Sequence, residues 1–365
     1  MRRFEAPLLF LSIGCIAEPT FVLGGTGGGG GAGTSTTTSS TTSTSTSASS
    51  TSGGEGGCAN TDFDPDNCGA CGHVCSDTCS DGKCDPVVLV EGEEAPRGII
   101  VDDQYLYWVT YGSHLVRRRA KASDATPETV ASMQVNAWGL AQDATHLYWT
   151  SRSLGTVSRL PKDLSGDVEV LISGLSDPIE LFVAGDTLYV TARAGGQVVS
   201  VPKTGGTHTV LQDGFPEPYG VAVVDGTVMI TEAFSGDLLA LGMNGPQVLA
   251  DGLQNAFQIV PAGDGVLWCA YGNDDIRYLP RGAAAPQVLA AADECWGVFA
   301  DASHVYWTQE FYEMPQMGRV WMGSLDGSPP VMVADGQTGP TGITADADAI
   351  YWSNFQGGQI VRVDK

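Results

Sequence analysis

The segment Leu147-Tyr148-Trp149-Thr150 is one of seven related segments that recur along the chain. The other six are Leu106-Tyr107-Trp108-Val109, Leu188-Tyr189-Val190-Thr191, Val228-Met229-Ile230-Thr231, Val266-Leu267-Trp268-Cys269, Val305-Tyr306-Trp307-Thr308 and Ile350-Tyr351-Trp352-Ser353. Their third residues are 41, 41, 40, 38, 39 and 45 positions apart. A repeat of about 40 residues with several short strands in each unit is typical of a β-propeller.

The strand pattern around these segments predicts the number of blades. The first strands of the seven units begin near Gly98, Gly139, Glu180, Gly220, Gln258, Gly297 and Gly342. The seventh unit has only three strands, and an unmatched strand, Val87-Val88-Leu89-Val90, precedes the first unit. We expect this strand to complete the last blade, because its pairing would close the ring and remove a sheet edge. The sequence therefore predicts an all-β fold, a seven-bladed propeller over residues 85–365.

The repeat also resembles a known family. Tyr148-Trp149-Thr150-Ser151 and Tyr306-Trp307-Thr308 resemble the YWTD repeat of lipoprotein-receptor propellers. Those receptor propellers have six blades, so the resemblance leaves six blades as the alternative to seven. It implies the fold and says little about function.

The N-terminal region predicts export. Residues 1–15 contain Arg2 and Arg3 before a short apolar stretch, which is the layout of an export signal. Leu11-Ser12-Ile13-Gly14-Cys15 resembles a bacterial lipobox, which implies that Cys15 carries a lipid. The alternatives are a plain secretory signal or a true start codon further upstream. Residues 16–57 are a low-complexity Gly, Ser and Thr segment, which predicts a disordered tether.

Residues 58–84 form a small cysteine-rich module. Its six cysteines are Cys58, Cys68, Cys71, Cys75, Cys79 and Cys84. After an export signal, disulfides are favoured over zinc thiolates, and sequence alone does not choose among the pairings. Asn67-Cys68-Gly69-Ala70-Cys71-Gly72-His73-Val74-Cys75 resembles the Asn-Cys-Gly-x-Cys-Gly-x-x-Cys module of secreted myxobacterial proteins, which implies surface exposure. The remaining pair, Cys269 and Cys295, is either a bridge between neighbouring blades or two buried thiols.

The charge of the chain excludes some partners. Lys and Arg number 18 against 42 Asp and Glu, so the formal net charge is −24. Nucleic acid and anionic lipid surfaces would repel such a chain. No run of 18 apolar residues is present, so we expect membrane contact only through a lipid anchor. We predict a monomer in the cell envelope, either anchored by lipid or secreted.

The propeller geometry points to one candidate site, at the end of the channel where the first strands begin. Residues at the start of the first strands are expected to surround this channel mouth, with residues just after the second strands outside them. The predicted ligand-binding residues are Arg97, Trp138, Glu180, Tyr219, Phe257 and Trp296 in the inner set, and Arg152, Arg193, Glu232 and Glu310 in the outer set. Aromatic surface with a few convergent polar groups suits a small molecule or a sugar. The alternative is that these aromatic residues fill gaps between blades as ordinary core.

The sequence offers no complete catalytic set, and we predict no metal and no cofactor. No nucleophile-elbow serine and no phosphate-binding glycine loop is present. We therefore favour a non-enzymatic binding or scaffold protein of the cell envelope, with a small molecule, a glycan or a protein bound at the mouth. The alternatives are a hydrolase or lyase acting on a polysaccharide or lactone, and a purely structural assembly protein whose mouth is filled by side chains.

Overall fold

A computed structural model describes residues 62–70, 73–122, 124–253, 255–311 and 313–365. These residues lie within one compact unit, Gly56–Lys365. The predicted signal and tether, Cys15, Cys58 and Cys71 lie outside the described residues.

Within the described residues, seven antiparallel sheets of four strands form a closed ring. The first strand of each sheet packs against the first strand of the next sheet, and the seventh packs against the first. The fold is therefore a seven-bladed β-propeller, as the repeat count predicted. The alternative of six blades was wrong, because the resemblance to the receptor repeat concerns one strand and does not fix how many units close a ring.

Each blade runs from the channel outward in the order of its strands. The first strands, which line the channel, are β4 Pro96–Val101, β8 Ala137–Gln142, β12 Pro178–Ala184, β16 Pro218–Val224, β20 Ala256–Ala262, β24 Cys295–Ala300 and β28 Pro340–Ala345. The second strands are β5 Tyr105–Thr110, β9 His146–Ser151, β13 Thr187–Ala192, β17 Thr227–Glu232, β21 Gly265–Ala270, β25 Val305–Gln309 and β29 Ala349–Asn354.

The outer half of each blade completes the sheet. The third strands are β6 Leu115–Ala120, β10 Thr156–Pro161, β14 Gln197–Pro202, β18 Asp237–Gly242, β22 Asp275–Leu279, β26 Gly318–Gly323 and β30 Gln359–Asp364. The outermost strands are β7 Glu128–Ala131, β11 Glu169–Ile172, β15 Thr209–Gln212, β19 Gly245–Ala250, β23 Gln287–Ala291, β27 Val331–Gln337 and, in blade 7, β3 Val87–Val90. Two short 3₁₀ turns, Tyr271–Asn273 and Pro315–Met317, lie in loops after second strands.

The ring closes between the two ends of the propeller sequence. Strand β3 pairs antiparallel with β30, with Val88 opposite Val361. The predicted closing strand is thus confirmed. It supplies the outermost strand of blade 7, so the last strand of the repeat is not left as an open edge.

The aromatic residues of the repeat form the core between blades. Trp149 is fully buried, and its indole N–H donates to Gln134 Oε1 at 2.7 Å. Trp352 donates in the same way to Gln337. Such an acceptor lowers the cost of burying the indole N–H group. The buried indole nitrogen atoms of Trp268 and Trp307 have no such acceptor among the described residues. The repeated Tyr-Trp pair therefore serves packing between sheets, which is why it marks the fold and not the site.

Hydroxyl groups of the second strands link five of the seven blades to the next blade. Thr150 Oγ1 accepts from the backbone N–H of Gly139 in its own blade and donates to Ile179 O in the next blade at 2.7 Å. Ser353 makes the corresponding link from blade 7 to Arg97 O of blade 1, also at 2.7 Å. Cys269 holds this position in blade 5, and there a disulfide to Cys295 of blade 6 joins the two blades.

Ion pairs link neighbouring blades at the end of the channel opposite the mouth. Each pair joins the carboxylate of an Asp to the ammonium group of a Lys. The Asp lies between the first and second strands of one blade, and the Lys follows the third strand of the next blade. The pairs are Asp102–Lys162, Asp143–Lys203, Asp301–Lys365 and Asp346–Lys121. The same carboxylates also accept the hydroxyl groups of the repeat tyrosines, as in Tyr148 to Asp143 at 2.9 Å.

The cysteine-rich module is a cross-linked hairpin, with β1 Cys79–Ser80 and β2 Lys83–Cys84. Its disulfides join Cys68 to Cys79 and Cys75 to Cys84. The module contacts the end of the propeller chain, where the His73 ring lies 2.6 Å from Cys68 O and 2.5 Å from Lys365 O. Three of these sulfur atoms lie close enough together to hold a metal, but as disulfide sulfurs they are not thiolate ligands.

The disulfides indicate an oxidising compartment, which is where such bonds form and persist. Among the described residues, no helix has the length and apolar character needed to cross a membrane.

Candidate functional site

A β-bulge at the start of each first strand positions the candidate site. The pairing between first and second strands slips once in every blade, for example between Pro96 and Ile99 and between Ala137 and Leu140. A bulge turns the local backbone and re-aims side chains. In these two blades the bulge contains Arg97 and Trp138, whose side chains reach the channel.

The residue that follows is glycine in five blades because the next blade comes very close. A Cβ atom added at Gly98 would lie 2.7 Å from Trp138 O of blade 2, which is closer than real Cβ contacts allow. The close packing of blades around the channel therefore fixes where the bulge residues sit.

The channel holds a cavity of about 360 Å³. It extends from residues that begin the first strands, such as Arg97 and Trp138, to residues near their ends, such as Gln142 and Thr344. All six residues of the predicted inner set line it. This volume lies within the usual range for small-molecule pockets.

Arg97 lies among aromatic rings at the mouth. Its guanidinium carbon is 3.9 Å from the ring centroid of Trp138, 4.2 Å from that of Phe355 and 5.2 Å from that of Trp296. Phe257 continues the group, with ring centroids 5.0 Å from Trp296 and 4.9 Å from Tyr219. The four aromatic residues expected at the mouth thus form one connected group with Arg97.

The Arg97 guanidinium is only partly satisfied. Its Nε and Nη1 atoms are buried and have no hydrogen-bond partner among the residues that the structure describes. Burial lowers the pKa of the Arg97 guanidinium, while the nearby Tyr219 and Glu310 act in the opposite direction. Arginine stays charged in proteins, so the mouth contains a desolvated cation. Two of its N–H donor atoms, Nε and Nη1, are free to bind a ligand.

Glu180 lines the cavity from blade 3, but its position in the strand is one residue later than that of Arg97 in blade 1. In the observed register Pro178 pairs like Pro96 of blade 1, so Ile179 is the counterpart of Arg97. The strand starts in the sequence pattern align Glu180 with Gly98 and Gly139 and not with Arg97, and the observed register agrees with that alignment. Glu180 takes the position of the glycine in other blades, where its longer side chain enters the cavity.

Two carboxyl groups near Arg97 have raised pKa values. Burial raises the pKa of Glu180 to about 7, against the opposing effects of the Arg97 charge and a hydrogen bond from Trp138. Burial likewise raises the pKa of Glu310 to about 7, again opposed by Arg97. Both groups are therefore near their midpoint of ionisation at neutral pH.

The other members of the outer set have partners of their own. Arg152 Nε donates to Asp177 Oδ1 at 2.5 Å, and Arg193 Nε donates to Asp177 Oδ2 at 2.8 Å. Glu232 is buried, and its carboxylate accepts from the backbone N–H groups of Glu217 and Ser235. None of the four residues of the outer set is among the cavity-lining residues. Arg152 lies 4.4 Å from the Trp138 ring centroid and so borders the mouth, whereas Glu232 shapes a loop.

Sequence reasoning missed Phe355 and Asp177. Phe355 follows the second strand of blade 7 by one residue, and its contact with Arg97 depends on the path of the turn. Asp177 immediately precedes a first strand and has a left-handed backbone, with φ of 58°. Such a conformation, shared by Ala95 and Asn136 of the preceding blades, could not be read from residue types alone.

The chain matches no protein-family model and none of the curated proteins. It is similar in structure to virginiamycin B lyase from Staphylococcus aureus, with a TM-score of 0.65, 12% identity, and coverage of 78% of this chain and 99% of that one. A catalytically inactive histidine-to-alanine variant of that lyase, solved with quinupristin, gives a TM-score of 0.64 at 12% identity, with coverage of 78% and 99%.

The WD40 propeller domain of Doa1 is similar to the same degree. Its TM-score is 0.65 at 11% identity, with coverage of 77% of this chain and 97% of that domain. An enzyme and a WD40 domain are thus equally good matches. At such low identity the likeness shows the propeller fold alone.

Proposed function

We propose that this chain is an exported, non-enzymatic binding protein of the cell envelope that holds a small molecule at the mouth of the propeller channel. The observation that carries the proposal is the cavity of about 360 Å³ lined by Arg97 and the aromatic group around it. A purely structural role would not require a desolvated cation beside an enclosed space, because an unpaired buried donor costs free energy.

We do not propose a lyase reaction on the basis of the structural similarity to a lyase. The variant of that lyase described as inactive has lost a histidine. The residues found to line this cavity include none. We therefore propose binding, and turnover of a bound compound would instead favour the hydrolase or lyase alternative.

A thermal-shift screen of the full chain against glycans, metabolites and divalent metals tests the binding role. We expect a ligand that raises the unfolding midpoint of the wild type but not that of the Trp138→Ala/Trp296→Ala variant. Phe234→Ala is the matched control, because Phe234 is an aromatic residue that is 78% exposed and outside the cavity. If no compound gives this difference, the proposed binding site is wrong.

The envelope location has its own test. We propose that Cys15 anchors the chain through a lipid, on the basis of the lipobox resemblance and the oxidised cysteines. Labelling cells with a radioactive fatty acid is expected to label the wild-type protein and not a Cys15→Ser variant. An unlabelled wild type found in the culture medium would support secretion without an anchor.

A further inference from the structure

We propose that the ligand of this site is a small organic anion, with a flat apolar body in the cavity and an acidic group bound to Arg97. This inference rests on the proposed function and adds the chemical class of the ligand. The acidic group is a carboxylate or a phosphate or sulfate ester, each of which offers the oxygen acceptors that a guanidinium binds.

The first argument is the state of Arg97. The two neighbouring arginines are paired, since Arg152 and Arg193 share Asp177. Arg97 forms no ion pair with a described carboxylate, and its Nε and Nη1 atoms are buried without acceptors. A bound acidic group would supply those acceptors at a position where leaving them out is costly.

The second argument is the charge around the mouth. The two arginines on Asp177 leave one unbalanced positive charge, and Arg97 adds another. The groups that face Arg97 with the opposite charge are Glu180 and Glu310, and their raised pKa values leave both only partly ionised near pH 7. Tyr111 and Tyr219 are the remaining titratable neighbours, and burial raises the pKa of Tyr219, so that phenol carries no charge here. Among the groups that act directly on Arg97, positive charge is thus in excess, in a chain whose net charge is −24.

The third argument excludes a cation. Aromatic cages often bind ligand cations through their ring faces. Here the position between Trp138 and Phe355 is already taken by the guanidinium of Arg97, at 3.9 and 4.2 Å from the two ring centroids. A second cation would meet the charge of Arg97 in a poorly solvated space, where repulsion is weakly screened.

The rest of the cavity fits an apolar body. Below the mouth its lining includes aliphatic side chains from neighbouring blades, such as Ile99, Leu140, Val221 and Val298. Burying apolar surface against them is favourable, while the aromatic rings offer faces for stacking. A compact planar acid therefore satisfies both halves of the site.

Calorimetry with three indoles of matched shape tests the inference on the full chain at pH 6.5. The probes are indole-3-acetate, its neutral amide indole-3-acetamide, and the cation tryptamine. We expect indole-3-acetate to bind at least tenfold more tightly than the amide, and tryptamine to bind most weakly. Equal or tighter binding of the amide or of tryptamine, or no binding of the acetate at 10 mM, would overturn the inference.

Two variants locate the effect. Arg97→Gln is expected to remove the preference for the acetate over the amide. Arg281→Gln removes the same charge from a side chain that is 69% exposed and paired with Asp225, and is expected to keep the preference. A preference that survives in folded Arg97→Gln would count against the inference, and the wild-type comparison of probes stands even if this variant does not fold.

The outcomes separate this inference from the proposed function. A neutral ligand found in the thermal-shift screen, and lost in Trp138→Ala/Trp296→Ala, would leave the binding role intact and overturn the anionic class. Failure of both experiments would remove the site itself.

Discussion

Lys203 of blade 3 donates to the carboxylate of Asp143 in blade 2 at 2.9 Å, and this contact joins the two blades at the end opposite the mouth. Asp143 also accepts from the backbone N–H groups of Thr145 and His146 and from the Tyr148 hydroxyl. One carboxylate therefore fixes a turn, orients a core tyrosine and holds the next blade.

We expect the propeller to lose stability in acid through this set of aspartates. Burial would raise the pKa of Asp143 and Asp301, but the lysine bonds and the donors around them outweigh it and hold each pKa below its usual value. A lowered pKa contributes stability above the unfolded-state pKa of about 3.9, and this is lost as pH falls through the folded-state value. Thermal unfolding measured from pH 7 to pH 2 should therefore show a falling midpoint below about pH 4.

Asp143→Asn should reproduce part of this effect at neutral pH. We expect it to lower the free energy of unfolding by about 2 kcal/mol, because charge-assisted bonds are lost. Asp213→Asn is the control, since Asp213 is exposed and the bond that it accepts from Gln212 Nε2 goes to its backbone oxygen and not to its carboxylate. Equal unfolding curves for the two variants in urea would show that the link between blades is not stabilising.

Trp149→Ala tests the assignment of the repeat aromatics to the core. Trp149 is fully buried, so its removal leaves a cavity and an unpaired acceptor on Gln134. We expect a loss of about 3–5 kcal/mol in the free energy of unfolding. Leu154→Ala, at a side chain that is 46% exposed, should change it by less than about 1 kcal/mol. A small effect of Trp149→Ala in denaturant unfolding would contradict the packing of this indole between blades.

The disulfide between Cys269 and Cys295 should stabilise the propeller. The bond closes a loop with a sequence separation of 26, for which chain entropy predicts about 3.5 kcal/mol. We therefore expect Cys269→Ala/Cys295→Ala to unfold at a lower temperature than the wild type in differential scanning calorimetry. Cys75→Ala/Cys84→Ala opens the cysteine-rich module at the edge of the propeller and should lower the propeller transition less. A reversed order would refute the assignment.

Glu180→Gln should change both stability and binding with pH. A carboxyl whose pKa is raised to about 7 contributes stability below its unfolded-state value, and that contribution is lost as pH rises through about 7. The variant should therefore be more stable than the wild type by about 1–2 kcal/mol at pH 8, with the difference shrinking towards pH 5. Glu91→Gln, at an exposed position, should show no such trend in parallel melts.

The same pKa predicts how an anion would bind. Wild-type affinity for indole-3-acetate should weaken several-fold from pH 6 to pH 8, as Glu180 and Glu310 gain negative charge. In Glu180→Gln the pH dependence should be smaller. Calorimetry at the two pH values measures both, and affinity that increases with pH would contradict the charge arrangement at the mouth.

The fold could be predicted because its core residues recur with a regular period. Each Tyr-Trp segment needs the same burial between sheets, so residues such as Trp149 and Trp352 recur at a similar spacing. The closing role of Val87–Val90 followed from counting strands. The last unit lacked one strand and one unmatched strand preceded the first unit, so the two were expected to pair.

The site could be predicted only in outline. The start of each first strand is fixed by the repeat, so Arg97, Trp138 and Trp296 were placed correctly around one channel. In blade 3 Glu180 lines the cavity from the position that holds glycine in five other blades, and Ile179, the counterpart of Arg97, does not line it. The pairing of Arg152 with Asp177 and the contact of Phe355 depend on turn paths, which do not repeat from blade to blade.

The pairing of Val88 with Val361 has a consequence for how the protein is made. The closing strand is among the first parts of the propeller to leave the ribosome, and its partner is the last. During synthesis the early blades therefore have an unfinished neighbour, and contacts so distant in sequence form slowly. The completed chain acquires its enclosed channel only in the final step, so a truncated chain would lose the cavity along with its last blade.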